Sequence, residues 1–393
     1  MTIDRAQIWT GPVNEAALGV SPATTVGLYD TTLRDGEQTV GVVLSPEDKL
    51  EIARALSDAG IDRIEAGFPR VSDEDWRAVE LVARAGLRAE VWGFSRAVAA
   101  DVEALVEIGV GASVIESPIS DGKLDALGVD RETMLGRIAK AVRFAVDNGI
   151  RVCFFGVDSS RADPGFFARA YATAVEAGAA EIAVVDTLGI ASPEAAALLV
   201  GRARDAVGPD VPIHWHGHDD FGLATAAAVA AVRAGATWVQ GTVNGMGERA
   251  GNADLIEVAL ALEALYGITT QLDLSRARAL SRLVQDRAVT PLPPWKPVTG
   301  DTLFTRESGA VAAQFHDPPA IEPYSSEVVG AGRGIVLGKK SGIDSVRIKA
   351  DELGLDVPEE RRPAILAAVK TLGTTKRGLV TDDEFRELIA KGG

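Results

Sequence analysis

The sequence I-H-W-H-G-H-D-D at 213–220 contains three of the four histidines of the protein. Side chains alternate along a strand, so His214, His216 and His218 share one face, with His214 one layer deeper. Two histidines in an H-x-H pattern at a strand end are able to bind one divalent cation. Buried, hydrogen-bonded core histidines are the alternative interpretation. The spacing favours metal ligation by His216 and His218.

A second polar group lies in residues 28–41, where an apolar strand leads into L-R-D-G-E-Q. Arg34 supplies a fixed cation and Asp35 a hard oxygen ligand; the alternative is an ordinary strand-to-helix turn with a surface ion pair. Two histidines and a carboxylate with open coordination positions suit a divalent cation that acts as a Lewis acid. The ligand types do not separate Mg²⁺, Mn²⁺, Zn²⁺, Co²⁺ and Fe²⁺.

A glycine-rich loop, V-N-G-M-G-E-R-A-G-N, occupies residues 243–252. One interpretation is a flexible connector. The other is a backbone that packs tightly over a metal site and presents the amide oxygen of Asn252 as a further ligand. The preceding H-x-H pattern favours the second interpretation.

These residues are positioned by an alternation of short β-rich runs and amphipathic helical segments. The β-rich runs lie at 26–31, 63–68, 90–94, 113–117, 151–157, 181–187, 212–218 and 238–243. Eight β/α units predict an α/β protein with a (β/α)₈ TIM barrel, whose chemistry lies at the carboxyl ends of the strands. A doubly wound open sheet is the weaker alternative, because no G-x-G-x-x-G follows the first strand.

The pattern changes after the barrel, and four segments are predicted. They are an N-terminal extension (1–24), the catalytic barrel (25–270), a linker helix with a crossover segment (271–338) and a short helical C-terminal subdomain (339–393). The C-terminal part is expected to be an appendage without a second globular core. Because such arms often complete a neighbouring subunit, we expect a homodimer in which the appendage contacts the other barrel.

The composition excludes several function classes. A net charge of −16 argues against nucleic acid or an anionic membrane as the main partner, but not against a small anionic substrate. Residues 1–24 lack the features of a signal peptide, and no apolar run is long enough to cross a bilayer. The single cysteine, Cys153, lies in an apolar run, which predicts a core residue. A reducing cytoplasm is the expected location.

Five ordered motifs together resemble one enzyme family. They are LRDGEQ at 33–38, IEAGFP at 64–69, DTLG at 186–189, HGHDDFG at 216–222 and GERAGN at 247–252. The family is that of the metal-dependent Claisen-condensing enzymes: homocitrate synthase, 2-isopropylmalate synthase and citramalate synthase. A wider barrel group includes 3-hydroxy-3-methylglutaryl-CoA lyase. The C-terminal segments FTRESG and VVGAGRGIVLGKKSG are most similar to the short nitrogenase-type homocitrate synthases.

The resemblance implies specific roles. Asp35, His216 and His218 would bind a divalent cation (Mg²⁺, Mn²⁺ or Zn²⁺), with Asn252 close to the ion. Arg34 would polarise the carbonyl oxygen of a 2-oxo acid. The predicted catalytic residues are Arg34, Glu37 and His316, and the predicted substrate contacts are Arg34, Gln38, Arg70, Arg96 and Thr187. Acetyl-CoA would be the second substrate: a base removes a methyl proton, the enolate attacks the oxo acid, and thioester hydrolysis drives the reaction to a 2-hydroxy di- or tricarboxylate.

The proton-handling positions depart from the family pattern. The glutamate usual on strand five is Val157, and the following Asp158 is expected to point the other way. Two histidines usual in the appendage are Arg306 and Val311, neither of which accepts a proton. His316 is a candidate replacement, with an ordinary surface histidine as the alternative.

Three functions remain open. The first, which we favour, is the condensing acyltransferase; the second is a metal-dependent aldolase or lyase; the third is a catalytically altered relative that binds a 2-oxo acid. The intact metal set favours the first two over the third. The oxo acid itself would be selected by residues near 68–71, 94–96 and 116–120. There Arg70 and Arg96 either grip a second carboxylate, as in 2-oxoglutarate, or are surface arginines where helices begin. Residues 333–340 either hold the CoA phosphates or pack the appendage.

Overall fold

The structure is a computed structural model that describes residues 3–18 and 25–391. Its contacts divide the chain into two compact units, a barrel unit (Asn14–Leu292) and a C-terminal unit (Asp4–Val13 with Pro293–Gly393). The boundary of the barrel unit therefore lies later than the predicted 270. Residues 4–13, predicted as part of a separate extension, belong with the C-terminal unit.

Eight parallel strands close into a barrel in sequence order, and the eighth pairs with the first. Their bounds are β1 Gly27–Asp30, β2 Arg63–Glu65, β3 Glu90–Arg96, β4 Ala112–Pro118, β5 Arg151–Val157, β6 Glu181–Asp186, β7 Ile213–Gly217 and β8 Trp238–Gly241. The predicted TIM barrel is confirmed. Closure fixes which strand ends meet, because every strand has two hydrogen-bonded neighbours.

Between residues 12 and 288, helices lie before, between and after the strands. They are α1 Pro12–Leu18, α2 Pro46–Ala59, α3 Asp73–Ala83, α4 Ala99–Ile108, α5 Asp121–Leu127, α6 Arg131–Asp147, α7 Pro164–Glu176, α8 Pro193–Val207, α9 Ala224–Arg233, α10 Leu255–Ala261 and α11 Ala277–Ala288. The side chains of Ser45, Asp163 and Ser192 accept backbone hydrogen bonds at the starts of α2, α7 and α8, each followed by proline. These pairs stop each helix from extending backwards into the loop that carries the site.

The interior of the barrel is aromatic and apolar in the middle and charged at the amino-terminal ends of the strands. Tyr29, Trp92, Val114 and Phe155 are among its fully or nearly fully buried residues. Cys153 lies in the same cluster, and burial raises its pKa, which confirms a core residue.

The C-terminal unit has a hydrophobic core of its own. Its elements are β9 Thr305–Arg306, β10 Gly334–Ile335, α12 Gly309–Ala312, α13 Ile343–Glu352, α14 Arg362–Lys376 and α15 Asp382–Lys391. Val346, Ile365, Val369 and Phe385 are fully buried there. The expectation of no second globular core is therefore wrong. The core is assembled from short, separated segments, so no single stretch of sequence shows a long apolar face.

None of the helices in residues 3–18 and 25–391 combines the length and the apolar character needed to span a bilayer.

Candidate active site at the barrel mouth

The two predicted histidines and the predicted carboxylate meet at the carboxyl ends of the strands. Asp35 follows β1, His216 lies in β7, and His218 comes directly after β7. Asp35 Oδ2 lies 3.3 Å from His216 Nε2 and 3.8 Å from His218 Nε2, and all three side chains are buried. One ligand atom from each residue lies within 4.8 Å of the others. The structure thus brings together the three predicted ligands.

Several atoms of this group have no hydrogen-bond partner among the described residues. They are Asp35 Oδ1, Asn252 Oδ1 and the Nδ1 atoms of His216 and His218. Leaving a buried polar atom unpaired costs roughly 1–3 kcal/mol, so a cluster of them requires compensation. Imidazole nitrogens with carboxylate and amide oxygens are a donor set that fits a divalent cation.

The electrostatics of the group favour the forms that bind a cation. Burial alone would raise the pKa of Asp35, but Arg34 and His216 hold it well below its usual range, so the carboxylate is charged. Burial, with His216 next to it, lowers the pKa of His218 to about 4. A neutral imidazole and an ionised carboxylate are the forms that ligate metals.

The glycine-rich loop places Asn252 beside this group. His218 and Asn252 form an isolated antiparallel bridge, and the Asn252 side-chain amide donates to the carbonyl of Met246 over 3.0 Å. That contact orients the Asn252 oxygen. Gly251 has φ +85°, and a Cβ there would lie 1.9 Å from the carbonyl oxygen of Gly245. The loop is therefore tightly packed, as the second interpretation predicted.

Arg34 is held on three sides. Its Nε donates to Glu65, its Nη1 lies 3.2 Å from Asp35, and its Cζ lies 4.3 Å from the centre of the Phe94 ring. The remaining nitrogen, Nη2, is buried and has no hydrogen-bond partner in the described structure. The guanidinium is thus fixed, with one donor group free for a ligand.

Glu65, which the sequence analysis did not single out, is the buried carboxylate that contacts Arg34. It ends β2, is fully buried, and accepts a 2.9 Å hydrogen bond from Tyr29 as well as the contact from Arg34. A charged residue inside the short apolar run R-I-E-A-G-F was the available signal, since an acidic side chain is rarely buried without a partner.

Thr187 lies just after β6, and its hydroxyl group is able to donate a hydrogen bond. Its hydroxyl oxygen accepts from the backbone N–H of Asp158 over 2.8 Å. The hydroxyl hydrogen is therefore available to donate, as a carboxylate contact requires.

Glu37 and Gln38 occupy a cavity of about 390 Å³ that Arg34, Phe68 and Phe94 also line. The Glu37 carboxylate lies 2.5 Å from the buried Lys49 ammonium and accepts from the backbone N–H of Leu44 over 2.8 Å. These contacts stabilise the loop after β1. A catalytic role for Glu37 and a substrate contact by the exposed Gln38 stay predictions.

The two arginines considered for a second carboxylate are both near Asp101 of α4. Arg96 Nε lies 2.7 Å from Asp101 Oδ2 and its Nη2 lies 3.1 Å from Oδ1, whereas Arg70 Nε lies 3.8 Å away. The buried Asp101 carboxylate thus holds Arg96 where α4 begins. This arrangement favours the surface interpretation, and substrate contacts by Arg70 and Arg96 stay predictions.

The positions that depart from the family pattern fall in both units. Val157 ends β5, while the buried Asp158 is paired with Arg161 and accepts from Ser120. In the C-terminal unit, Arg306 donates to the carbonyl oxygens of Leu303 and Thr305. His316 is exposed in that unit, so its catalytic role stays a prediction.

The fold and these side chains define a class: a TIM-barrel protein with a buried carboxylate–histidine–histidine group at its mouth. Comparisons with known protein families support this class. Residues 25–284 match the HMGL-like family, and residues 298–377 match the homocitrate synthase post-HMGL domain-like family. The first match covers most of the chain, and the protein belongs to the HMGL-like family.

Relatives with assigned names share almost the whole length. A protein named homocitrate synthase AksA from Methanopyrus kandleri is 42% identical over 379 residues, covering 96% of this chain and 95% of that relative. A protein named putative (R)-citramalate synthase CimA, from the same organism, is 42% identical over 373 residues, covering 94% of this chain and 73% of that relative.

A solved structure shows the same fold. The HMG-CoA lyase from Brucella melitensis superposes with a TM-score of 0.61 at 21% identity, covering 68% of this chain and 100% of the lyase. At this identity the likeness concerns the fold alone.

Proposed function

We propose that the protein is a divalent-cation-dependent acyltransferase that condenses acetyl-CoA with a 2-oxo acid to give a 2-hydroxy di- or tricarboxylate. The observation that carries the proposal is the juxtaposition of two sets of buried atoms that have no partner among the described residues. One set is Asp35 Oδ1 and Asn252 Oδ1 beside His216 and His218; the other is Nη2 of Arg34. The names of the 42%-identical relatives support the same reaction class.

Asp35, His216, His218 and Asn252 would hold the cation, which when bound supplies Lewis-acid polarisation of the oxo acid. Arg34 acts on the same carbonyl group. Its free Nη2 donates to the keto oxygen, and the charge that develops on this oxygen meets a cation already in place. Glu65 and Phe94 prevent the guanidinium from reorienting during the reaction, so no reorganisation cost arises at that moment.

Thr187 orients the other end of the reacting group. Because its hydroxyl oxygen already accepts from the backbone of Asp158, the hydroxyl hydrogen points elsewhere and is free to donate to the carboxylate of the oxo acid. Two fixed donors, Arg34 and Thr187, then hold the keto acid in one orientation, which removes rotational freedom before the attack. Gln38 and Glu37 belong to the same proposal, as a substrate contact and a catalytic group in the loop after β1.

Acetyl-CoA supplies the nucleophile. Removal of one methyl proton gives an enolate, whose carbon forms the new bond to the keto carbon; water then hydrolyses the thioester and releases the CoA thiol.

The proposal includes the predicted homodimer, which sedimentation of the purified protein over a range of concentrations tests. A monomer at all concentrations would contradict it.

Release of free thiol from acetyl-CoA tests the reaction. The protein, stripped of metal and resupplied with Mg²⁺, Mn²⁺ or Zn²⁺, is incubated with each of a panel of 2-oxo acids that includes pyruvate, 2-oxoisovalerate and 2-oxoglutarate. We expect thiol release that requires both a divalent cation and one of the acids. No release with any acid, or release that is independent of the acid, would contradict the proposal.

A further inference from the structure

The proposed reaction needs a proton acceptor, and the acidic residues at the strand ends are nearly all occupied. Six of these carboxylates have partners within the described structure: Asp30 with Thr32, Glu65 with Arg34 and Tyr29, Asp158 with Arg161, Asp186 with Ser160, Asp219 with the backbone of Ala224, and Asp220 with Arg249. Asp35 belongs to the metal-type group. Paired carboxylates are poor bases because their partners stabilise the ionised form.

The Glu116 carboxylate differs from these because it has no partner among the described residues. It lies in β4, with Arg96 of β3 and Phe155 of β5 as its register partners. Its carboxylate forms no hydrogen bond and no ion pair with any residue in 3–18 or 25–391, although the side chain is more than half buried. A partly buried, unpaired carboxylate at the carboxyl end of a barrel strand is the type of group that accepts a proton in catalysis.

Glu116 lies near Arg34, the residue proposed to contact the oxo acid. Arg34 reaches the Phe94 ring in β3, and β3 pairs with β4, so the guanidinium and Glu116 lie on the same side of the mouth. Arg34 is the strongest electrostatic neighbour of Glu116. Glu116 also lines a cavity of about 830 Å³ together with Val157, Lys123 and Met134, which offers space for an acyl group beside the carboxylate.

We propose that Glu116 is the catalytic base that removes the methyl proton of the acetyl thioester, an inference that rests on the proposed function. The methyl C–H bond breaks and its proton moves to a Glu116 oxygen. The electron pair of that bond forms the new C–C bond to the keto carbon, and the carbonyl electron pair moves to the oxygen beside Arg34. The proton on Glu116 leaves through the cavity to solvent, which also protonates the new alkoxide.

The charge environment suits this role. Burial raises the pKa of Glu116 above that of an exposed glutamate, opposed mainly by Arg34 and also by Arg96 and Lys123. A raised pKa makes the carboxylate a stronger base, and activity falls when the pH falls through that pKa because the protonated acid accepts no proton. The other charged groups that face it are Glu65 from β2 and, along the cavity, Arg137 of α6 and Arg161 after β5.

The test compares Glu116→Gln with Asp125→Asn, which removes one negative charge from the exposed face of the neighbouring α5. We expect Glu116→Gln to lower kcat for oxo-acid-dependent thiol release by about 100- to 10,000-fold. The Kd of the oxo acid, measured calorimetrically, should stay within about 3-fold, since the contacts proposed to hold that acid, Arg34 and Thr187, are unchanged. With trideuterated acetyl-CoA, the residual rate should show a larger isotope effect than the wild type.

Glu116→Asp should keep a measurable rate and the acidic limb of the pH profile, because it retains a carboxylate. Asp125→Asn should behave as the wild type does. Wild-type kcat in Glu116→Gln, or a loss confined to KM, would overturn the assignment while leaving the acyltransferase proposal intact. A wild-type protein that releases no thiol with any oxo acid would overturn the proposed function and, with it, the role of Glu116.

Discussion

The two ends of strand β7 carry histidines in opposite situations. His214, near the amino-terminal end of the barrel, has both ring nitrogens occupied: Nε2 lies 2.6 Å from Glu181, and Nδ1 lies 3.1 Å from the Gln240 amide. His216 and His218, at the mouth, are also buried, but the Nδ1 atom of each has no partner in the described structure. Histidines two positions apart thus differ in whether both buried ring nitrogens have hydrogen-bond partners.

Two buried arginines repeat this contrast. Arg63 at the amino-terminal end contacts Glu90 and, through both terminal nitrogens, Glu181, and it stacks 3.6 Å from the centre of the Trp238 ring. Arg34 at the mouth is held in a similar way, but its Nη2 has no hydrogen-bond partner within residues 3–18 and 25–391. At the closed end, the charged groups of Arg63 and Glu181 are therefore paired with each other, whereas Arg34 at the mouth keeps a buried donor without a partner in the described structure.

The largest expected effect comes from removing a ligand at the mouth. His218→Ala should abolish cation-dependent thiol release, by about 1000-fold or more, because several kcal/mol of transition-state stabilisation by the cation is lost. Calorimetric titration with Mn²⁺ or Zn²⁺ should show a lost or much weaker site. Full activity with undiminished metal affinity would show that the cation binds elsewhere. The proposed difference between the mouth and the closed end of the barrel would then be wrong.

At the closed end, the expected effect is on stability. Arg63→Met leaves the buried Glu181 without its main cationic partner and should lower the free energy of unfolding by about 3–5 kcal/mol, measured by urea denaturation. Arg77→Met is the matched control, since Arg77 and Glu47 form an exposed pair, and its loss should cost less than about 1 kcal/mol. Equal effects of the two variants would contradict a structural role for the Arg63 network.

A third prediction concerns pH and Asp30, a buried carboxyl group at the carboxyl end of β1. Burial raises the pKa of Asp30 to about 7, although hydrogen bonds from Thr32 oppose the shift. The folded protein then binds this proton more tightly than the unfolded chain does. Protonated Asp30 therefore stabilises the folded state, and this contribution is fully present below about pH 4. The contribution, about a few kcal/mol, is lost as the pH rises through about 7.

Asp30→Asn, which is neutral at every pH, should therefore lose less stability than the wild type between pH 5 and pH 8. Urea denaturation of both proteins at several pH values across this range measures the difference. Parallel stability curves for the two proteins would show that Asp30 does not titrate there.

The smallest effect is expected at Thr187. Thr187→Val removes the hydroxyl proposed to contact the oxo-acid carboxylate and should raise the KM for that acid by about 10-fold, corresponding to one hydrogen bond to a charged group. Thr187→Ser keeps the hydroxyl and should restore binding. Thr225→Val removes a hydroxyl that pairs with Glu257 and serves as the control. An unchanged KM in Thr187→Val would exclude the contact.

Much of the fold was predictable because its signals are local. The alternation of β-rich runs with helices depends on neighbours a few residues apart, and the structure confirms the barrel. The capping pairs Ser45–Pro46, Asp163–Pro164 and Ser192–Pro193 are equally local signals. The meeting of Asp35 with His216 and His218 followed from the rule that the carboxyl ends of barrel strands converge. The clamp on Arg34 was not predictable in this way, since its partner Glu65 is 31 residues away.

The sequence by itself determined the barrel, the shared face of His216 and His218, and the position of Asp35 at a strand end, because side-chain alternation and strand order follow from residue type and spacing. Tertiary structure alone decided which polar groups are satisfied. It paired Arg96 with Asp101 and Asp158 with Arg161, and it left Glu116 without a partner in the part of the chain that the structure describes. It also assembled the core of the C-terminal unit from separate short segments. The physical reason is that hydrogen-bond satisfaction and burial depend on register and loop conformation, which a closed barrel fixes only when all eight strands have paired.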